Sequence, residues 1–259
     1  MGILIFVLYM IKVILLGAGN LAVHLAKAFS DAKNIDFVQR YSRDGKNDAF
    51  FDKTIPKTNK ISALQKADIY VVSVSDQAIA SFSKQFTFTT GLVVHTSGSM
   101  ALQTLQCEAN KGVLYPLQTF SKTKNVNFKT IPIAIETEHK KDFALLMQFT
   151  KEISDLVYKI DSLQREKMHI AAVFANNFSN QMFKIAKDIC DENNFPFDIL
   201  KPLIQETAKK IETLNPKQAQ TGPAKRNDLK LIETHLKALK GEQKQIYALL
   251  SKSIMKTTI

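Results

Sequence analysis

The chain has only two cysteines in 259 residues, Cys107 and Cys190, and neither stands in a CxxC pair or a Cys/His metal spacing. That leaves no basis for a disulfide framework or a metal site and predicts a reduced, cytoplasmic protein. A polybasic block is also missing. The formal net charge is +11, but residues 1–160 carry 19 basic and 13 acidic side chains and the remainder 16 and 11, so the excess is spread evenly. A nucleic-acid groove would concentrate it, so nucleic acid is not an expected partner; a diffuse positive field suits small anions such as phosphates. There is no internal repeat and no low-complexity segment. A membrane span is not expected either: the apolar start "GILIFVLYM" is followed by Lys12, and a span of about 20 residues would have to include a glycine-rich turn. No basic start or small-residue cleavage site marks a signal peptide. Residues 1–9 therefore read as an apolar N-terminal extension ahead of a fold that begins near Met10.

What is present is ordinary for a folded protein, with 45% hydrophobic and 23% charged residues. The length exceeds the usual single core and suits two domains. Up to about residue 160, short β-branched runs alternate with amphipathic stretches. The strand candidates are "IKVILL", "DFVQRY", "DIYVVSV", "LVVHTS", "GVLYPL", "IPIAIE" and "LVYKI". Helical patterns between them include "NLAVHLAKAFSDA", "DQAIASFSKQF" and "ALQTLQCEANK". Apolar strands separated by helices predict parallel βαβ units, hence an α/β doubly wound, mainly parallel sheet of Rossmann type. After Asp161 the character is helical throughout, and "LQREKMHIAAVFANNFSNQMFKIAKDICDENN" reads as one long helix. The expected organisation is a nucleotide-binding domain over 10–161 and an all-α domain over 162–259 for substrate binding and dimerisation.

"LLGAGNLA" follows a strand and opens a helix, the context a dinucleotide fingerprint requires. Gly17 would permit the sharp turn and Gly19 the approach of backbone to a pyrophosphate. Ala22, in the place of a third glycine, would let helix and strand pack closely. The phosphates would lie on Gly17, Ala18, Gly19, Asn20 and Leu21, at the positive end of the helix. The second strand ends in "VQRYSRDG", without the acid that grips ribose hydroxyls in NAD binders. Ser42 and Arg43 stand there instead, a hydrogen-bond donor and a cation suited to a 2′-phosphate, so the expected cofactor is NADP.

Further polar islands lie at strand ends. Val74 and Ser75 close one strand, and Asp76 after them reads as a cap of the next helix. His95, Thr96 and Ser97 close another, with Gly98 making the turn. These would line the nicotinamide. Tyr115 and Gln118 in "LYPLQTF" and Arg226 in "QTGPAKRND" are candidate substrate ligands, Arg226 for a carboxylate. On the long helix His169 and Asn176 are seven residues apart, which puts them within about 20° on one face. With His95 they are the candidate catalytic residues, an imidazole being able to pass a proton while hydride moves. The alternative for this helix is a hydrogen-bonded packing role between domains or subunits.

The order "LLGAGN", "SVSDQAI", "HTSGS", "YPLQTFS", "AAVFANNF" and "QTGPAKRND" resembles the Rossmann-like family that carries domain of unknown function 2520 at its C-terminus. More distantly the layout is similar to pyrroline-5-carboxylate reductase, ketopantoate reductase and the 6-phosphogluconate dehydrogenase superfamily. The resemblance implies an NADP-binding oxidoreductase with a helical C-terminal domain that commonly dimerises. It supplies no substrate. Two departures stand out. Asn227 occupies a position where the family tends to have glycine, and the Lys-x-x-x-Asn pair of related hydroxyacid dehydrogenases has no match, since Lys167 and Asn176 lie about 180° apart. The expectation is an NADP-dependent oxidoreductase, a homodimer through its helical domain, acting on a small anionic carbonyl or imine. The alternatives are an NADP-binding sensor without turnover and an F420-dependent NADP reductase.

Overall fold

The computed structural model describes residues 10–45 and 47–256; the extension at 1–9 lies outside them. The chain divides into two compact units, Met1–Asn176 and Asn177–Ile259. The sequence break at Asp161 marks where the strands stop; the boundary between the units falls fifteen residues later, inside a helical run.

In the first unit eight strands form one sheet among the described residues. They are β1 (Ile11–Leu16), β2 (Ile35–Tyr41), β3 (Lys57–Thr58), β4 (Ile69–Val72), β5 (Leu92–His95), β6 (Asn110–Pro116), β7 (Ile133–Thr137) and β8 (Val157–Lys159). Their order is β3-β2-β1-β4-β5-β6-β7-β8. Neighbours run parallel except β6 and β7, which are antiparallel. The first six strands thus take the doubly wound order that reverses between β1 and β4, and ligands of such sheets bind outside the carboxyl ends at that reversal.

The sequence explains the sheet. In β1, Val13 and Leu15 enter one core while Ile14 and Leu16 enter the other, so both faces are buried and the strand is apolar without alternation. Helix α1 (Asn20–Asp31) covers one face with Ala22, Leu25, Ala26 and Phe29, the spacing of a single helical stripe. Ala22 is fully buried, in keeping with close helix–strand packing. Helix α2 (Ile79–Ser83) places Ile79 in the opposite core, and α3 (Lys140–Ile153) returns Leu146, Phe149 and Ile153 to the first.

One expected helix is absent. "ALQTLQCEANK" contains only a short 3-10 turn, Leu102–Thr104, and its last two residues already belong to β6. Leu105, Cys107 and Ala109 are buried while Gln106 and Glu108 are exposed, a period of two that belongs to extended chain.

The long helix also departs from expectation. Helix α4 (Ser162–Ala172) passes through a π-helical turn, Val173–Phe178, into α5 (Ser179–Glu192). The π turn advances by less than the roughly 100° per residue of an α-helix. Asn176 therefore lags behind the position that a continuous α-helix would give it relative to His169.

The second unit continues with α6 (Lys201–Lys210), α7 (Pro216–Ala219), α8 (Leu229–Ala238) and α9 (Gly241–Lys256). Its "TGPAKRND" segment is a run of turns that leads to α8, whose start is capped by the Asp228 carboxylate accepting from the Leu231 N–H at 3.1 Å. Asn227 adopts φ +57°, the left-handed region. Glycine is at home there and asparagine is the side chain that tolerates it best, which accounts for the departure from the family pattern.

Candidate functional site

The carboxyl ends of β1, β2, β4 and β5 open into one crevice. Its larger part, about 590 Å³, is lined by the glycine turn (Gly17 to Asn20), by Ser42 and Arg43, and by Val74 and Ser75. A second part of about 400 Å³ shares Ala18, Gly19, Asn20, Val74 and Ser75 and adds Leu21, Thr96 and Ser97. Residues spread over 80 positions of sequence are thus gathered because the strands that carry them all end at the same edge. Of the expected cofactor residues, His95 alone does not line this crevice.

The two glycines of the turn do different things. Gly17 has φ +134°, and a Cβ there would lie 2.0 Å from the Ser73 carbonyl oxygen. The fold itself demands that glycine. Gly19 has φ −75°, open to any residue, and a Cβ there would meet nothing within 4 Å. Among the described residues no neighbour requires Gly19 to lack a side chain, and Gly19 lines the crevice. Gly19 is also the N-cap of α1, with no side-chain cap and no acidic residue in the first turn. The free N–H groups and the positive dipole end are left for an anion.

Beside this, the hydroxyl of Ser42 is a buried polar atom without a hydrogen-bond partner, although its backbone N–H donates to the Thr58 carbonyl at 3.0 Å. Buried hydroxyls are almost always paired, so an orphan on a crevice wall is suited to an incoming acceptor. Arg43 next to it is exposed. These features fit a dinucleotide: a cradle that a side chain would fill, an uncapped helix end and an unsatisfied donor beside a cation.

At the other end of the crevice Asp76 does not cap the helix that follows; its carboxylate accepts from the Ser99 hydroxyl at 2.7 Å. Ser97 holds the same turn, its hydroxyl accepting from the N–H groups of Ser99 and Met100 at 3.2 and 3.1 Å. Gly98 is required by what lies above it. A Cβ there would come within 2.6 Å of the Tyr115 ring and 2.7 Å of His169 Nδ1. Those two side chains, 54 residues apart, meet at 3.1 Å between the Tyr115 hydroxyl and His169 Nδ1. Burial raises the Tyr115 pKa, and the charge of Asp76 adds to it.

Helix α4 is fastened by a charge that sequence reading did not single out. Arg165 is 1% exposed; its guanidinium donates to the Glu136 carboxylate and the Met100 carbonyl. Ser162 joins them, donating to Glu136 at 2.8 Å and accepting from the Leu102 N–H at 3.1 Å. Arg165 lies one helical turn before His169 and ties the strand β7, the 97–102 turn and α4 together.

His95 is corrected as a catalytic candidate. It is fully buried, its Nδ1 accepts from the Ser97 N–H at 3.2 Å, and its Nε2 donates to the Ala101 carbonyl at 3.3 Å. Neither nitrogen is left for a ligand. Burial, with the nearby Arg165 charge, lowers its pKa to about 4. The unfolded chain takes this proton near pH 6.5 and the folded chain only near 4, so the stability contribution is complete above 6.5 and falls as pH drops through that window. His95→Gln is expected to erase this component: the difference in unfolding free energy between wild type and variant shrinks by about 3 kcal/mol from pH 6.5 to 4. Urea unfolding at several pH values reads it, and a difference constant with pH would contradict it.

Of the other candidates, Asn176 is exposed on the π turn, and Gln118 folds back to accept from the Thr119 N–H at 2.8 Å. Arg226 is exposed in the second unit. Among the described residues no group of three or more His, Cys, Asp or Glu is placed to hold a metal ion. No described helix is long and apolar enough to cross a membrane.

The model of domain of unknown function 2520 matches residues 131–254. A solved structure from Bacteroides fragilis, provisionally named an NADP oxidoreductase, is 39% identical over 96% of this chain and 99% of its own, with a TM-score of 0.86. The chain belongs to this Rossmann-like family with a C-terminal domain of unknown function 2520. Within the same fold, a protein from Thermotoga maritima is 18% identical over 95% of this chain and 98% of its own, with a TM-score of 0.75. The pyrroline carboxylate reductase of Plasmodium falciparum, solved with NADP bound, is 12% identical over 96% of this chain and 98% of its own, with a TM-score of 0.61. At those identities the likeness shows the fold alone. No curated protein matches the sequence. The family relative supports an oxidoreductase.

Proposed function

We propose that this protein is an NADP-dependent oxidoreductase that moves a hydride between the nicotinamide and a small, anionic carbonyl or imine compound. One observation carries the reading: Gly19 leaves open space in front of an uncapped helix N-terminus, beside the orphaned Ser42 hydroxyl. The name of the Bacteroides fragilis relative and the NADP in the Plasmodium falciparum structure point the same way.

In this reading the N–H groups at Gly19, Asn20 and Leu21 bind the pyrophosphate. Ser42 donates to the 2′-phosphate and Arg43 neutralises it. Val74, Ser75, Thr96 and Ser97 bound the nicotinamide end, and the cofactor, when bound, supplies or accepts the hydride. His169 and Tyr115 carry the proton, which the Tyr115 hydroxyl gives to the carbonyl oxygen or imine nitrogen while His169 Nδ1 restores it. The net charge of +11 favours an anionic substrate. The helical residues 162–259 form the dimerisation part, a role supported by Ile199, Leu203 and Leu249 of the second unit, each more than 60% exposed.

Oxidation of NADPH against a panel of small 2-oxo acids and cyclic imines tests the reading. The expected result is turnover of at least one compound, lowered about a hundredfold by Tyr115→Phe or His169→Asn with NADPH affinity unchanged. NADPH binding without turnover of any compound would favour a cofactor-binding sensor instead.

A further inference from the structure

We propose that Lys122 is a second cation for the cofactor's 2′-phosphate, supplied by the chain after β6; this rests on the dinucleotide reading above. Lys122 lines the same crevice as Ser42 and Arg43, though 79 positions separate it from Arg43.

The residues before it are docked on α1. The Asn20 side-chain amide donates to the Phe120 carbonyl at 3.0 Å, and His24 Nε2 donates to the Ser121 carbonyl at the same distance. The His24 and Phe120 rings lie 5.3 Å apart. The lysine is thereby delivered from the helix that would hold the pyrophosphate. Its ammonium donates to the Asn47 side-chain oxygen at 2.7 Å, and the Asn47 amide donates in turn to the Ala18 carbonyl in the glycine turn. Asn47 has φ +64°, a left-handed conformation that aims its side chain within a tight loop. One chain of hydrogen bonds therefore joins the glycine turn, the loop after β2 and the segment after β6 at the rim of the crevice.

Charge separates Lys122 from its neighbours. Arg40 and Lys57 are both ion-paired, sharing the Asp48 carboxylate. Among the described residues Lys122 has no carboxylate within ion-pair distance; Asn47 is neutral and occupies one of three ammonium donors. Lys122, a half-buried cation without a counter-ion whose ammonium otherwise lies only 5.9 Å from the Phe50 ring centroid, and the orphaned Ser42 hydroxyl line the same crevice, and both can take an anion as a partner. The anion is the 2′-phosphate rather than the pyrophosphate because Asn47, which holds the ammonium, belongs to the same loop as Ser42 and Arg43.

Calorimetric titration of Lys122→Met and Lys122→Arg with NADPH and with NADH separates the outcomes. Lys122→Met is expected to weaken NADPH about tenfold or more and to leave NADH unchanged, and Lys122→Arg is expected to keep the preference. Equal weakening of both nucleotides, or an unchanged NADPH affinity, would overturn the proposal while the dinucleotide reading stands. If wild type binds neither nucleotide, the reading beneath it fails as well. A measurement on unaltered protein guards against a variant that does not fold. Acetylation of Lys122, followed by mass spectrometry, is expected to slow in 2′,5′-ADP and not in ADP; equal protection by both would refute the assignment.

Discussion

Gly19→Val is expected to abolish dinucleotide binding in a protein that still folds, whereas Gly17→Ala is expected to damage the fold itself. The asymmetry comes from what surrounds each position. At Gly19 the backbone is extended and the space beyond is empty, so the fold pays only the difference between a glycine and a valine N-cap, below about 1 kcal/mol. The valine methyl groups would occupy the place where a pyrophosphate must touch backbone, and NADPH affinity is expected to drop at least about a hundredfold. At Gly17 an alanine would sit at φ +134° with its methyl inside the van der Waals radius of the Ser73 carbonyl. The strand end must shift, at a cost of about 3 kcal/mol or more. Melting curves and NADPH titrations on the two variants check this. A Gly19→Val protein that binds NADPH like wild type would remove the reason for the empty space.

Arg165→Ala is expected to lower stability by about 3–5 kcal/mol, more than any other single side-chain truncation around the site. It would leave Glu136 with only the Ser162 hydroxyl and strip the Met100 carbonyl of its donor. Removal of one partner of a buried pair strands the other charge, whereas replacement of both can be nearly neutral. The double variant Arg165→Met, Glu136→Leu should therefore recover most of the loss. Urea unfolding followed by circular dichroism distinguishes the two; a cost below about 1 kcal/mol for Arg165→Ala would mean that the network does not hold α4.

Much of this was legible in the residues. The seven longer strands were visible because a sheet buried on both faces writes itself as short apolar runs, and the first turn because glycine, alanine and asparagine follow such a run. Residues 101–111 misled because Leu102, Leu105 and Ala109 match a helical spacing as well as they match the alternating burial of extended chain. The π turn had no glycine or proline to announce it. His95 looked like a ligand from its place at a strand end; its role as a buried acceptor and donor depends on the Ser97 and Ala101 backbone, which sequence cannot position. Lys122, Asn47 and Arg165 were silent for a related reason. Each acts through a partner 29 to 75 residues away, and no short motif encodes such a meeting.

The central claim is that the glycine turn and the Ser42–Arg43 corner together hold a 2′-phosphorylated dinucleotide. Isothermal titration of wild-type protein with NADPH and NADH is its most direct test. One-site binding of NADPH, tighter than NADH by about tenfold or more, is the predicted result. Absence of heat with NADPH, or a preference for NADH, would contradict it.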